Sequence, residues 1–137
     1  MRFRTELTEF FCSGVELNEL TKDILGTAFQ VHTVLRPGLL ESVYSAALTY
    51  ELRKCGLRVA TEVAIPVLYD GVNLGLLFRA DIVVEERVIL KLKSVQALAP
   101  VHSKQLLNYL KLTGLPAGLL LNFNTISLRD QVVRLVK

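Results

Sequence analysis

The sequence predicts one α/β domain, a mixed sheet flanked by helices, and three observations lead there. Apolar residues recur at helical spacing up to Lys54, then switch to strand-like runs from Val59 onward. The resulting order is ααβββαβ: three successive strands, a crossover helix and a further strand. A length of 137 residues suits a single domain with a real hydrophobic core.

The elements follow in order. Residues 1–16 lack clear periodicity and read as a loosely held leader, leaving 17–137 as the domain. Asn18 or Thr21 caps a first helix running to about Val34, with Ile24, Ala28, Val31 and Leu35 on its apolar side. Arg36-Pro37-Gly38 stops it. A second helix spans about Leu40 to Lys54, with Val43, Ala47, Tyr50 and Leu52 as its stripe and Gly56 as its cap. Val59 to Tyr69 is a strand, and Pro66 marks it as an edge or a bulge. Asp70-Gly71 turns the chain into a second strand, straight or bent, from Leu74 to Val84. Glu85-Glu86-Arg87 leads to a third, Val88 to Ser94. Pro100 opens a helix of about a dozen residues that buries Leu106, Leu107 and Leu110, until Gly114-Leu115-Pro116 ends it. Gly118 to Phe123 is a buried strand, and Gln131 to Val136 a last strand or helix.

Composition excludes several classes. With 51% hydrophobic and 21% charged residues, the chain is globular rather than disordered. No apolar run approaches the roughly 20 residues of a membrane span. Glu6 and Glu9 interrupt any signal-peptide core, and no membrane association is expected. Cys12 and Cys55 make neither a disulfide framework nor a zinc motif, and they suit a reducing cytoplasm. Net charge is +3. Residues 101–137 hold five basic side chains against Asp130, whereas residues 1–100 are nearly balanced. That asymmetry is compatible with a polyanionic partner as well as with an ordinary solvated surface.

Two segments hold candidate chemistry. If Glu85-Glu86-Arg87 is a three-residue hairpin loop, Val84 faces Val88 and Asp81 lies across from Lys91. Alternation then puts Asp81, Lys91 and Lys93 on one sheet face, and Leu90 and Leu92 on the opposite, core-facing side. The plain reading is a cross-strand salt bridge. In Gly38-Leu39-Leu40-Glu41-Ser42-Val43-Tyr44, Glu41 falls in the first helical turn, where the helix dipole favours a carboxylate. Tyr44 follows on the same side, its hydroxyl free to meet that carboxylate or a partner at the core's edge. His32 and His102 read as structural histidines.

Gly38, Glu41 and Tyr44 match the GxxExxY signature, and further segments follow in the same order: Val31-His32, Arg79-Ala80-Asp81, Leu92-Lys93-Ser94-Val95, Pro100-Val101-His102, Gln105 to Leu110, and Asn122-Phe123. The chain thus resembles the GxxExxY family of small prokaryotic proteins, classed in the PD-(D/E)XK nuclease superfamily. The resemblance implies a restriction-endonuclease-like αβββαβ core and a metal-dependent phosphodiesterase site. It maps the helix acid onto Glu41, the strand Asp onto Asp81, the lysine onto Lys93 and the helix Gln onto Gln105, with Glu41 and Asp81 as ligands of Mg²⁺ or Mn²⁺. One position departs. The family's Glu-x-Lys stands here as Lys91-Leu92-Lys93, so an ammonium replaces the third carboxylate.

Two functions follow from that departure. One is a nuclease-like phosphodiesterase acting on nucleic acid, impaired by Lys91, with Mg²⁺ or Mn²⁺ bound weakly or not at all. The other is a non-catalytic module that keeps the fold to bind nucleic acid or a protein. Nucleic-acid binding is expected to be weak, sequence-independent and salt-sensitive, because scattered lysines and arginines in the last third of the chain are its visible source. The oligomeric state is left open.

Overall fold

The structure is a computed structural model and describes residues 16–136. The expected leader, apart from Glu16, and Cys12 lie outside the described residues. Helix α1 (Leu17–Leu35) and helix α2 (Glu41–Lys54) precede strands β1 (Val59–Tyr69), β2 (Val72–Val84) and β3 (Val88–Lys93). Helix α3 (Pro100–Thr113), strand β4 (Ala117–Asn122), a 3₁₀ turn (Leu128–Gln131) and strand β5 (Val132–Val136) complete the chain. The final element is therefore a strand. The sheet runs β1-β2-β3-β4-β5, antiparallel throughout except for the parallel β3/β4 pair that the α3 crossover makes possible.

Alternation along the central strands builds two cores. Ile82, Val84, Val88, Leu90, Leu92, Leu119 and Leu121 face α1 and α2, where Leu20, Ile24, Ala28, Tyr44 and Leu48 close the layer. The opposite parity of β3 and β4, Ile89 and Leu120, packs together with Ala80 beneath Leu106, Tyr109 and Leu110 of α3. Gly118 lets α3 come close on this side: a Cβ there would stand 2.8 Å from a Leu106 methyl.

Four expectations need correction. Helix α1 begins at Leu17, ahead of both predicted caps. Thr21 is inside the helix, its hydroxyl donating back to the Leu17 carbonyl at 2.8 Å, and the Asn18 side chain accepts from Arg134 instead of capping. On α2 the buried stripe is Tyr44, Leu48 and Leu52, while Val43 and Tyr50 are exposed. Tyr44 goes inside because its hydroxyl is satisfied, donating to the Arg36 carbonyl at 2.5 Å and accepting from the Leu39 amide at 3.1 Å. Its ring stacks on Phe123 at 4.5 Å. On α3, Tyr109 takes the buried place assigned to Leu107, which is exposed. Strand β2 starts two residues early, at Val72.

The other punctuation acts as read. Gly56, at φ +88°, follows the end of α2; its amide bonds to the Arg53 carbonyl and Leu57's to the Leu52 carbonyl, a Schellman closure. Pro66 sits on the outermost strand beside a register shift. The β2/β3 loop has three residues, with Val84 opposite Val88. Glu85 anchors it, one carboxylate oxygen accepting the Arg58 amide at 2.5 Å.

Candidate functional site

The β2/β3 ladder extends only from Val84↔Val88 to Ile82↔Leu90, and past that point the strands part. Asp81 is the first residue of β2 beyond it. Its Oδ2 accepts the amide of Leu92 at 2.8 Å, so a side chain completes the bonding that a ladder would otherwise supply. Its Oδ1 faces the Lys91 ammonium at 3.5 Å and the Arg79 guanidinium at 3.9 Å. Lys91 Nζ also lies 3.4 Å from the Arg79 carbonyl and 5.7 Å from the centre of the Tyr109 ring. The Asp81 and Lys91 side chains are only 14% and 15% exposed, so this pair is largely shielded from water.

Glu41 arrives from the other side. It is the first residue of α2, and its Oε2 accepts the amide of Ser94, just past β3, at 3.2 Å. Ser94 Oγ donates to the Leu39 carbonyl at 2.7 Å, fastening this loop to the start of the helix. Behind the loop is Asn122, fully buried at the end of β4. Its Oδ1 accepts from the Val95 amide at 3.0 Å, and its Nδ2 donates to the Val95 carbonyl at 2.9 Å and to Gln131 at 3.1 Å.

Glu41 and Asp81 line one cleft of about 1150 Å³. It continues along α2 past Ser45 and Thr49 to Arg53 and Lys54, with Arg79 opposite. Thr49 is buried, and its hydroxyl has no hydrogen-bond partner among the described residues. Lys54 is held by Glu51 at 3.1 Å, and that hydrogen bond raises its pKa above the ordinary 10.5. Burial, reinforced by the Asp81 charge, raises the Tyr109 hydroxyl above the ordinary 10.0.

The sequence-predicted residues thus divide. Glu41 and Asp81 share the cleft, and Lys91 pairs with Asp81. Half-buried Lys93 makes no ion pair with any described residue, and Gln105 stands on an exposed turn of α3; neither lines the cleft. His32 donates from Nε2 to the Thr125 carbonyl at 2.7 Å, and His102 accepts the Ala99 amide at 3.0 Å, so both have structural partners. Sequence reading missed Arg79, Ser94 and Asn122 as site-builders. Arg79 was detectable as the residue sharing Asp81's strand face two positions earlier.

The donor set does not fit a divalent cation. Among the described residues no three His, Cys, Asp or Glu side chains group as metal ligands. One Asp81 oxygen is taken by an amide, the other faces two cations, and Glu41 is also engaged by an amide.

A split antiparallel hairpin, a parallel crossover strand and an acidic residue at a helix start are the architecture of a nuclease-like α/β domain. The family model of the PD-(D/E)XK nuclease superfamily matches residues 18–135, and the chain belongs to that superfamily. Its members typically use divalent metals. A search of curated proteins found no significant match, and neither did a search of solved structures. Among the described residues no helix is long and apolar enough to cross a membrane.

Proposed function

We propose that this chain is a nuclease-derived nucleic-acid-binding protein in which Lys91 takes over the charge-balancing role of a divalent ion, so that ordinary phosphodiester hydrolysis is impaired. The observation that supports this most is the Lys91 ammonium 3.5 Å from Asp81 Oδ1 in a largely shielded setting. A carboxylate stripped of water needs a compensating cation, and here the chain supplies one itself. An ammonium cannot ligate a metal and repels one, so Mg²⁺ or Mn²⁺ binds weakly or not at all. Arg53, Lys54 and Arg79 along the cleft offer contacts to phosphates, which fix position without reading sequence. Binding is accordingly weak, sequence-independent and salt-sensitive. A cytoplasmic setting suits Cys55, which is free and exposed.

The second reading is a working metal-dependent phosphodiesterase using Glu41, Asp81, Lys93 and Gln105. Its support is the cleft shared by the two carboxylates and the ammonium of Lys93, which has no acidic partner among the described residues. One experiment separates the two. Labelled single- and double-stranded DNA and RNA are incubated with the protein in Mg²⁺, in Mn²⁺ and in EDTA, with binding and cleavage followed together. The first reading expects retention in EDTA that weakens steeply with salt, and no metal-stimulated cleavage. Cleavage that needs metal and is lost in Asp81→Asn would establish the second. Absence of any binding at low salt would reject the nucleic-acid reading.

A further inference from the structure

The outer half of the β1/β2 hairpin is an arm with little of its own to lean on. Strand β1 is outermost in the sheet, and β2 has β3 beside it only from Ile82 to Val84. From Val72 to Asp81, β2 is therefore paired on one side only, and the arm is a two-stranded ribbon with both edges open. Isolated two-stranded ribbons are marginal in water. This one is also apolar. Leu68, Tyr69, Val72, Leu74, Leu76 and Leu77 are between 47% and 71% exposed. Between Leu68↔Asn73 and Pro66↔Leu77, Val67 alone opposes Leu74-Gly75-Leu76, a bulge that pushes two leucines out of the ladder. From Val63 to Phe78 the only charged residue is Asp70. Exposed edges are ordinarily guarded by lysines or other charges, and here Pro66 and the bulge are the only such devices.

We infer that this arm is the interface of a homodimer, in which the open edge of β2 and the Leu74–Leu76 knuckle dock on the same surface of a second copy. The area argues for it. Six half-exposed large side chains amount to several hundred Å² over the two faces and bulged edge of the ribbon: by register Leu68 and Leu77 share one face, Tyr69 and Val72 the other, and Leu74 and Leu76 stand on the bulge. A second copy that clasps the ribbon would cover an area approaching the roughly 800 Å² per partner of a standard interface. The chemistry argues for it too. A surface almost without charge offers nothing to a polyanion, an acidic or basic protein or an anionic lipid surface, whereas homodimer interfaces are the apolar kind. An antiparallel ribbon is self-complementary under a twofold axis, since an edge strand can pair with its own copy. The root of the arm bears Glu62, Arg79 and Asp81 of the cleft, so docking would also brace one cleft wall. This inference is independent of the function proposed above.

The test is the solution mass of the full chain by light scattering and sedimentation across a wide dilution series, for the wild type and for Leu76→Asp/Leu77→Asp. The expected mass is twice 15.3 kDa. The double variant should raise the dimer dissociation constant by roughly a hundredfold or more, as losing central apolar anchors does. Both side chains are already in water in the protomer, so its circular dichroism should be unchanged. Hydrogen exchange on the wild type alone supplies a second readout: amides of 66–78 should become protected as concentration rises. A wild type of 15.3 kDa throughout the series overturns the inference. So does a folded double variant that stays dimeric, or a monomer whose arm gains protection only on neutral lipid vesicles.

Discussion

Replacing Lys91 by glutamate should exchange intrinsic stability for metal affinity. The Lys91–Asp81 pair is 3.5 Å apart and about 85% shielded on each side. At an effective dielectric near 20, that attraction is worth roughly 5 kcal/mol gross before desolvation is subtracted. Breaking such a pair while leaving its partner in place costs about 3–5 kcal/mol. Because Arg79 remains 3.9 Å from the same carboxylate, the lower end, about 3 kcal/mol, is the expected apo loss. For a chain of this size each kcal/mol moves Tm by about 4 °C, giving a fall of roughly 12 °C in EDTA. Lys91→Glu also adds a carboxylate beside Asp81. Mn²⁺ at a hundred times its dissociation constant should then return about 2.7 kcal/mol, most of the loss. Lys91→Met is the control: it should lose comparable apo stability and recover nothing from Mn²⁺. Thermal melts of the three proteins in EDTA and in Mn²⁺ decide it. If wild type gains as much from Mn²⁺ as Lys91→Glu does, the ammonium does not displace a metal. If Lys91→Glu melts no lower than wild type in EDTA, the charge-balancing role is wrong.

Two further outcomes test the surroundings of the site. Asn122→Ala should leave the Val95 amide and carbonyl without their partner in a partly buried setting, costing about 2 kcal/mol, or roughly 8 °C in a melt. A Tm within error of wild type would show that the loop after β3 does not depend on that clamp. Tyr109 carries a folded-state pKa raised above 10.0, so its stabilising contribution is complete below about pH 10 and is lost as pH climbs through the higher folded value. Tyr109→Phe should flatten that alkaline decline and remove one late phenolate from the ultraviolet titration; an unchanged alkaline limb would refute the assignment.

The hairpin around the site was legible because so few variables control it. A three-residue loop fixes Val84 opposite Val88, and parity then delivers Asp81, Lys91 and Lys93 to one face without knowledge of anything else. What parity does not encode is where the ladder stops. The parting of β2 and β3 is visible only through the Leu92 amide turning to a carboxylate. Helix phase was harder for a different reason. Hydropathy ranks Val43 and Tyr50 with the core, yet the position that wins is Tyr44, whose hydroxyl finds two backbone partners no periodicity can foresee. The arm shows the same limit from the opposite side. The run from Leu74 reads as strand, and nothing in that pattern tells that Leu74, Leu76 and Leu77 stand 47–65% exposed within one copy.

These differences share a physical origin. A sequence pattern reports which side chains avoid water, but not which neighbour relieves them of it. At Tyr44 the neighbour is the chain's own backbone, and at Asp81 it is a lysine. The last case matters most for function. A metal-binding site must keep its carboxylates close and pay for their mutual repulsion whenever the ion is away. Asp81 avoids that arrangement, since the Leu92 amide and the Lys91 ammonium satisfy it permanently. Glu41 likewise fastens the loop at Ser94. Both acids therefore help hold α2, β2 and the end of β3 together around the cleft, and Asp81 in particular would have to exchange its pairing with Lys91 before its Oδ1 could serve an ion.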